Sequence, residues 1–301
     1  MKKLLLSAAV ILASLTVSAQ VVSVKSIDAV PGDARVEKAT ISADGSFVVG
    51  YNPASQAIVK IDAASGQSQS VATGVDLYNV RLSGDQQNVV FTRPSYNKKH
   101  MRHVSLEAAS LADGKVQVLV KPTRNLSHGV ALSGSTVSAV EKGKVRTKTL
   151  VKGEKSVSAP FASISFGHLQ ITKDGKTVTI DPQGRGSYLW ASVSPDGQKV
   201  VYWLVGRGCF VANLDGSDAQ SLGNLRAAVF AGNDMVVGCE QLGNDEVIEK
   251  SDLVICRISD KARQTLTAKG VFAFDPSANA EGSSIAYTDA NGRVYLVNLT
   301  K

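Results

Sequence analysis

Two histidines, His100 and His103, stand three residues apart in the sequence NKKHMRH, a spacing that could bring two imidazoles to one metal ion. Lys98, Lys99 and Arg102 surround the pair, and their positive charge disfavours a bound cation. No Cys or carboxylate stands nearby to complete a set of ligands. We therefore expect a solvated basic loop here, and we predict no metal site.

Compact catalytic signatures are also missing from the sequence. There is no G-x-S-x-G nucleophile elbow, no H-E-x-x-H zinc motif and no Walker loop. The acidic segment LDGSD (214–218) lacks the ligand spacing of a calcium loop and is typical of a hairpin turn. We therefore predict no catalytic residues and no cofactor.

Arginine and aromatic residues form the best candidate binding site. Two Gly-Arg-Gly triplets centre on Arg185 and Arg207, with Tyr188, Trp190 and Trp203 close to them in sequence. Arginine offers a planar fork for carboxylate or phosphate groups, and aromatic rings offer stacking surfaces. The alternative is structural, with glycines in turns, tryptophans packed between elements and arginines facing water.

The elements that would carry these residues are repeated along the chain. In each copy an apolar strand enters a polar turn and a β-branched strand leaves it, and Asp-Gly in such a turn indicates a hairpin. The clear copies are ISADGSFVVGY (41–51), LSGDQQNVVFT (82–92) and VSPDGQKVVYW (193–203). Weaker copies are found at 131–140, 230–240 and 274–288.

A second hairpin follows each copy, so each unit has four strands and spans roughly 40 to 60 residues, as in a β-propeller. We predict an all-β fold of six four-stranded antiparallel blades. The N-terminal strand VVSVKSI (21–27) is predicted to close the ring in the last blade. Residues 144–158 do not fit the repeat, and they form either an inserted hairpin or part of a seventh blade.

A propeller of this kind groups the candidate residues by face. Connections after the second and fourth strands of each blade emerge on one face, and the S-x-D-G turns emerge on the other. The first face is predicted to collect the loops around Arg185 and Arg207, together with Arg93, Tyr96 and Lys98. We therefore expect binding on this loop-rich face.

The first residues, MKKLLLSAAVILASLTVSAQ, have the pattern of a secretory signal peptide. Lys2 and Lys3 precede a short apolar run, and small residues precede Gln20, where we expect cleavage. We predict a signal peptide at 1–19, one propeller domain at 20–301, and a periplasmic or secreted protein without a transmembrane segment. The formal charge of +7 is too small and too dispersed to indicate nucleic-acid binding.

Three cysteines, Cys209, Cys239 and Cys256, lie in the second half of the chain. Cys239 and Cys256 stand on either side of a loop, so a cross-strand disulfide is conceivable in an exported protein. The alternative is that all three are small buried apolar residues.

The turn phrases resemble a known family. Ser42-Ala43-Asp44-Gly45, Ser194-Pro195-Asp196-Gly197 and the segment FVANLDGSDAQSLG (210–223) are similar to the WD-like repeats of TolB-type propellers. The resemblance implies a six-bladed, exported or periplasmic scaffold for protein interactions. TolB itself has an additional N-terminal domain, which we do not expect here because the repeats begin almost at Gln20.

We expect an exported, monomeric, non-catalytic scaffold that binds a protein or an anionic glycan through its loop-rich face. The alternative is a propeller enzyme, a hydrolase or lyase, with its site at the axial tunnel. Such a site needs converging carboxylates or histidines. Asp275 and His128 are the nearest candidates on the predicted inner strands.

Overall fold

A computed structural model describes residues 20–243 and 247–300 of the chain. The secondary-structure elements in that part are all β-strands, and they form a six-bladed β-propeller. The predicted signal peptide, 1–19, lies outside the described residues. No helix among the described residues is long and apolar enough to span a membrane.

The first strand, β1 (Val24–Ala29), precedes blade 1. Blade 1 contains β2 (Glu37–Ile41), β3 (Phe47–Asn52), β4 (Ala57–Asp62) and β5 (Ser68–Thr73). Blade 2 contains β6 (Tyr78–Leu82), β7 (Asn88–Tyr96), β8 (Arg102–Ser110) and β9 (Val116–Thr123). Blade 3 contains β10 (Leu126–Ser133), β11 (Thr136–Glu141), β12 (Lys144–Thr149), β13 (Phe161–Ser165), β14 (His168–Lys173) and β15 (Lys176–Thr179).

Blade 4 contains β16 (Tyr188–Val193), β17 (Lys199–Leu204), β18 (Gly208–Asn213) and β19 (Gln220–Gly223). Blade 5 contains β20 (Arg226–Phe230), β21 (Met235–Gly243), β22 (Ile248–Arg257) and β23 (Arg263–Thr265). Blade 6 contains β24 (Phe274–Ala278), β25 (Ser284–Thr288) and β26 (Val294–Leu299), with β1 as its fourth strand.

The S-x-D-G phrases form the turns between the first and second strands of a blade. In blade 1 the Ser42 hydroxyl donates to Asp44 Oδ1 at 2.7 Å, and the same carboxylate oxygen accepts from the Ser46 amide at 3.0 Å. Gly45 has φ +74°, a left-handed conformation that glycine adopts without steric cost. Ser194 and Asp196 repeat the hydroxyl–carboxylate bond in blade 4, so the phrase is turn chemistry.

The core lies between the blades because alternate residues of a strand point to opposite faces of its sheet. Val48 packs on one side of blade 1, in a cluster with Ala286 of blade 6. Its neighbour Val49 packs on the other side, in a cluster with Val89 and Phe91 of blade 2. Each sheet therefore buries both faces, and the blades hold one another in the ring.

The N-terminal strand closes the ring as the sequence predicts. Strand β1 pairs with β26 in antiparallel register, with Ile27 opposite Val297. The side-chain amide oxygen of Gln264, in blade 5, accepts from the amide of Val21 at 2.8 Å. The first described residues are thus bonded to the last two blades, and β1 completes the four-stranded sheet of blade 6.

Blade 3 differs from the other blades in having six strands, in the order β12-β11-β10-β13-β14-β15. Its two three-stranded arms join through a single residue pair, His128 with Ile164. Val137 in the first arm packs with blade 2, and Leu169 in the second packs with blade 4. The end strands β12 and β15 approach each other, so the sheet is folded at the junction. Part of the segment 144–158, which the repeat did not explain, forms the outer strand β12.

All three cysteines are buried and free. Cys239 belongs to the cluster between blades 5 and 6, whereas Cys256 belongs to the cluster between blades 4 and 5. The two thiols therefore lie on opposite faces of the same sheet, which prevents the cross-strand disulfide considered from sequence. Burial raises the pKa of Cys239 to about 12.

Candidate functional site

The two faces of the ring carry opposite charge. The name loop face is used for one set of connections. These are the connections that follow the second and the fourth strand of each blade, with the equivalent connections in blade 3. Within the described residues, these connections carry nine Lys or Arg and four Asp. The six turns between the first two strands of each blade form the turn face, which carries four Asp, one Glu and no Lys or Arg.

Turns of the turn face form hydrogen bonds across blade boundaries. The Ala43 amide of blade 1 donates to the Gln86 side chain of blade 2, and the Asp196 amide of blade 4 donates to the Asn233 side chain of blade 5. Its aspartates are largely engaged in their own turns, as at Asp44. The loop face, by contrast, is the side of the ring whose described connections carry mostly positive charge.

A recurring backbone feature orients side chains at the loop face. The inner strands of five blades have a β-bulge whose residue has φ between 46° and 52°. These residues are Lys38, Asn79, Trp190, Ala227 and Asp275. A positive φ is costly for residues other than glycine, and a bulge redirects the side chain that it carries.

Two tryptophans come together at the boundary of blades 4 and 5. The ring centroids of Trp190 and Trp203 are 5.9 Å apart, with 57° between the ring planes. The Arg226 guanidinium of blade 5 lies 5.5 Å from the Trp190 ring centroid and 5.9 Å from that of Trp203. Trp190 is 38% exposed, so the cluster reaches the surface.

Arg226 was missed by sequence reasoning, although it begins the inner strand of blade 5. The residue lies 23 positions beyond Trp203, so only the packing of adjacent blades brings the two side chains together. A cation over an aromatic face is a favourable contact. The Trp190–Trp203–Arg226 cluster therefore combines positive charge with an aromatic surface.

The two Gly-Arg-Gly triplets lie in neighbouring loops, as predicted. Arg207 Nη1 donates to the backbone oxygen of Gln183 at 3.0 Å, which ties the loop after β17 to the loop before β16. Arg185 lies in that second loop and is exposed. The structure therefore places both arginines at the loop-face end of blade 4.

Tyr188 is fully buried, which differs from the surface contact expected of it. Its hydroxyl accepts from the Gln183 amide at 3.0 Å and donates to the Gly184 carbonyl at 2.9 Å. Burial raises the pKa of its phenol. Tyr188 thus lies beneath the loop that carries Arg185, where it positions that loop and cannot contact a partner directly.

Arg93, Tyr96 and Lys98 lie on blade 2, apart from the blade 4 residues. Arg93 Nε forms an ion pair with Glu107 at 2.9 Å, and its Nη1 donates to the Thr73 carbonyl of blade 1 at 3.0 Å. Arg93 is therefore engaged in joining blades 1 and 2. Tyr96 is 68% exposed and Lys98 is exposed, near the tip of the β7–β8 hairpin.

Three charged residues on the inner strands of adjacent blades influence one another electrostatically. Burial raises the pKa of Asp275 on β24, and the charges of Lys38 and Arg81 oppose that rise. Desolvation among the inner strands lowers the pKa of Arg81 on β6, although the residue is exposed to solvent, and the charge of Asp275 opposes that shift. β24, β2 and β6 are neighbouring inner strands of their blades, which line the axis, where the enzyme alternative expects its site. His128 instead lines a cleft between blades 2 and 3.

The described part of the chain contains no group of three His, Cys, Asp or Glu residues that could hold a metal ion. Among the predicted loop histidines, His103 Nδ1 lies 3.0 Å from the carbonyl of Met101, its neighbour in the hairpin.

No protein-family model and no curated protein sequence matches the chain. Solved structures do match in fold. The WD40 β-propeller domain of Doa1 is 12% identical, with a TM-score of 0.64 over 93% of this chain and 97% of that one. An oligogalacturonate lyase from Vibrio parahaemolyticus is 14% identical, with a TM-score of 0.50 over 90% of this chain and 80% of that one.

An oligogalacturonate lyase in complex with manganese is 15% identical, with a TM-score of 0.50 over 90% of this chain and 79% of that one. These similarities establish the β-propeller fold and its likeness to WD40 propellers. At such low identity they do not extend to function, and one fold hosts both a WD40 domain and an enzyme.

Proposed function

We propose that this chain is an exported, non-catalytic propeller that captures an anionic glycan through its loop face. The observation that carries the proposal is the division of charge between the two faces of the ring. Described loop-face connections have nine Lys or Arg against four Asp, while the opposite side of the ring, made of the turn face and the connections between third and fourth strands, has eleven Asp or Glu against four Lys. A polyanion approaching this molecule is attracted to one face and repelled by the other.

The Trp190–Trp203–Arg226 cluster supports a glycan over an acidic protein segment. Tryptophan rings give a sugar ring an apolar surface on which to pack, and the guanidinium of Arg226 gives its acidic group a partner. Arg185 and Arg207 extend the positive charge along the same end of blade 4. An acidic peptide could pair with the arginines, but it has no sugar ring to pack against the two indole rings.

The enzyme alternative has one observation in its favour. Asp275 has a raised pKa because it is buried, and Arg81 and Lys38 lie near it at the axis. Perturbed carboxyl groups are common at catalytic sites, but ion-pair networks in structural positions also produce them. The oligogalacturonate lyases with the same fold act on an anionic glycan by their names, and at 14–15% identity this bears on the fold alone.

Binding to immobilised polygalacturonate and heparin tests the proposal, with dextran as the uncharged comparison. We expect the purified chain from Gln20 to bind the acidic polymers and not dextran. The Arg185→Ala/Arg207→Ala double variant and the Arg226→Gln variant should each bind at least about tenfold more weakly, because each loses a charge-assisted contact worth about 1.5–3 kcal/mol.

A Lys152→Ala/Lys261→Ala variant is the matched control, since both lysines lie in connections outside the loop face. Equal binding by the control and the loop-face variants would overturn the proposed surface. Binding of poly-aspartate with the same affinity and the same dependence on Trp190 would overturn the choice of a glycan. Release of unsaturated or reducing sugar products by the wild type, lost in Asp275→Asn, would overturn the non-catalytic role.

The proposed export is tested separately. Fractionation of cells that produce the full chain should recover the protein outside the cytoplasm with Gln20 as its first residue. Recovery of a cytoplasmic protein that retains residues 1–19 would contradict it.

A further inference from the structure

A cleft of about 160 Å³ opens between blades 2 and 3 near their loop-face ends. It belongs to neither the Trp190–Trp203–Arg226 cluster nor the axial charges. Its lining comes from β6 to β10 and the connections between them, and includes Tyr78, Thr92, Arg102, Arg124, Ser127 and His128.

The lining is positively charged and contains no carboxylate. Arg102 and Arg124 supply two guanidinium groups, and His128 adds an imidazole. The Arg102 guanidinium lies 5.3 Å from the Tyr78 ring centroid, and Arg124 Nη1 lies 3.6 Å from Met101 Sδ. Neither arginine forms an ion pair with any described carboxylate, unlike Arg93 on the same blade.

Polar side chains in the cleft also lack protein partners. Among the described residues, the side chains of Tyr78, Asn79, Thr92 and Ser127 make no hydrogen bond. Thr92 is only 3% exposed, and its hydroxyl, which is open to the cleft, makes no hydrogen bond to a described residue. Polar groups that face a cleft without a protein partner are free to bond to a ligand or to water.

The size of the cleft fits a single ring. An enclosed cavity of about 150 Å³ admits one benzene molecule, and this cleft is open to solvent, so part of one sugar ring with its carboxylate can enter while the rest projects outward. The hydroxyl and amide groups match a ligand rich in hydroxyls, and the guanidinium groups match a carboxylate.

We propose that this cleft binds one carboxylate-bearing sugar residue, with Arg102 and Arg124 on the carboxylate and Thr92 and Ser127 on the ring hydroxyls. Tyr78 forms one wall, held by the Arg102 stack. The inference deepens the proposed function and rests on it, because it assigns a residue-specific subsite to a face that otherwise attracts polyanions by charge.

Titration calorimetry with D-glucuronate tests the subsite, with D-glucose and N-acetylglycine as comparisons that lack the carboxylate and the sugar ring respectively. We expect glucuronate to bind most tightly. Arg124→Gln should weaken it by about tenfold or more, as loss of a charge-assisted hydrogen bond predicts. Thr92→Val, which keeps the side-chain shape, should weaken glucuronate binding and leave the thermal midpoint of unfolding nearly unchanged.

Lys99→Gln is the matched control, since Lys99 lies on the same hairpin as Arg102 but does not line the cleft. Equal affinity for glucuronate and glucose, or equal loss in Lys99→Gln and Arg124→Gln, would overturn the subsite. Equal affinity for N-acetylglycine would overturn the sugar and indicate a general carboxylate site. If polygalacturonate binds while glucuronate does not, only the subsite fails; if neither binds, the proposed function fails as well.

Discussion

Arginine residues on the loop face divide into those that hold the fold and those that remain available for a ligand. Arg93 is committed to Glu107 and to the Thr73 carbonyl, across the boundary of blades 1 and 2. Arg226 contacts two indole rings and has no described carboxylate partner. The residue type is the same, and its neighbours decide its role.

Arg93→Gln should therefore lower stability, whereas Arg226→Gln should lower binding. Glu107 is only 6% exposed and would lose its charged partner, so we expect Arg93→Gln to cost about 1–2 kcal/mol of unfolding free energy. Urea unfolding measures this, with Arg226→Gln as the comparison, which should stay within about 0.5 kcal/mol of wild type. Equal destabilisation by the two variants would contradict the division.

Asp44 is predicted to contribute to stability in a defined range of pH. Hydrogen bonds from the Ser46 amide and from the Ser42 and Ser46 hydroxyls lower its pKa from 3.8 to about 2. Since the folded state favours the ionised form, this contribution is fully present above pH 3.8 and is lost as the pH falls toward about 2.

Asp44→Asn should accordingly reduce the fall in unfolding free energy over that interval. Thermal unfolding at a series of pH values measures it. Asp174→Asn, at a turn where the carboxylate has no hydrogen bond to a described residue, is the control and should keep the wild-type slope. An unchanged slope in Asp44→Asn would contradict the assignment.

Blade 3 is the element that departs from the repeat. Its two arms meet where β10 passes close to β13, and Gly129 makes this approach possible. Gly129 has φ +148°, and a Cβ atom there would lie 2.2 Å from the Ala162 carbonyl oxygen. The folded sheet therefore depends on the absence of a side chain at one position.

Gly129→Ala should destabilise the chain by about 3 kcal/mol, from backbone strain together with the clash. Gly143→Ala is the matched control, because Gly143 has φ +72° but nothing within 4 Å of an added Cβ atom. That control should cost only the backbone strain, about 1–2 kcal/mol. Equal losses in chemical denaturation would show that the β10–β13 junction tolerates a side chain.

The whole ring carries a charge separation along its axis. The aspartates of the turn face belong to the repeated Ser-x-Asp-Gly type of hairpin turn. The Lys and Arg residues of the loop face lie in connections that are not part of the repeated turn sequence. The two sides of the ring thus acquire opposite charge for different physical reasons.

Binding of the acidic polymer should therefore weaken with salt, while glucuronate in the cleft should be less affected. Raising the ionic strength from about 0.1 M to about 1 M shortens the Debye length from about 10 Å to about 3 Å. Long-range attraction by the face is then screened, whereas contacts within the cleft are not. Affinity for polygalacturonate that does not change with salt would contradict the electrostatic basis of the proposed function.

The sequence by itself determined the propeller, the count of six blades and the closing strand. These follow from local information, since Ser-x-Asp-Gly turns and alternating apolar strands specify hairpins wherever they occur. It also placed Arg185 and Arg207 together, because their loops belong to one blade. It did not distinguish buried Tyr188 from exposed Trp190, because a bulge in β16 alters the alternation between them.

Only the tertiary structure decided which residues of different blades meet. Arg226 reaches Trp203 across a blade boundary, and Arg102, Arg124 and His128 share a cleft because blade 3 packs on blade 2. The six-stranded form of blade 3 depends on one close approach at Gly129. Contacts between blades depend on the relative placement of whole sheets, which no short stretch of sequence encodes.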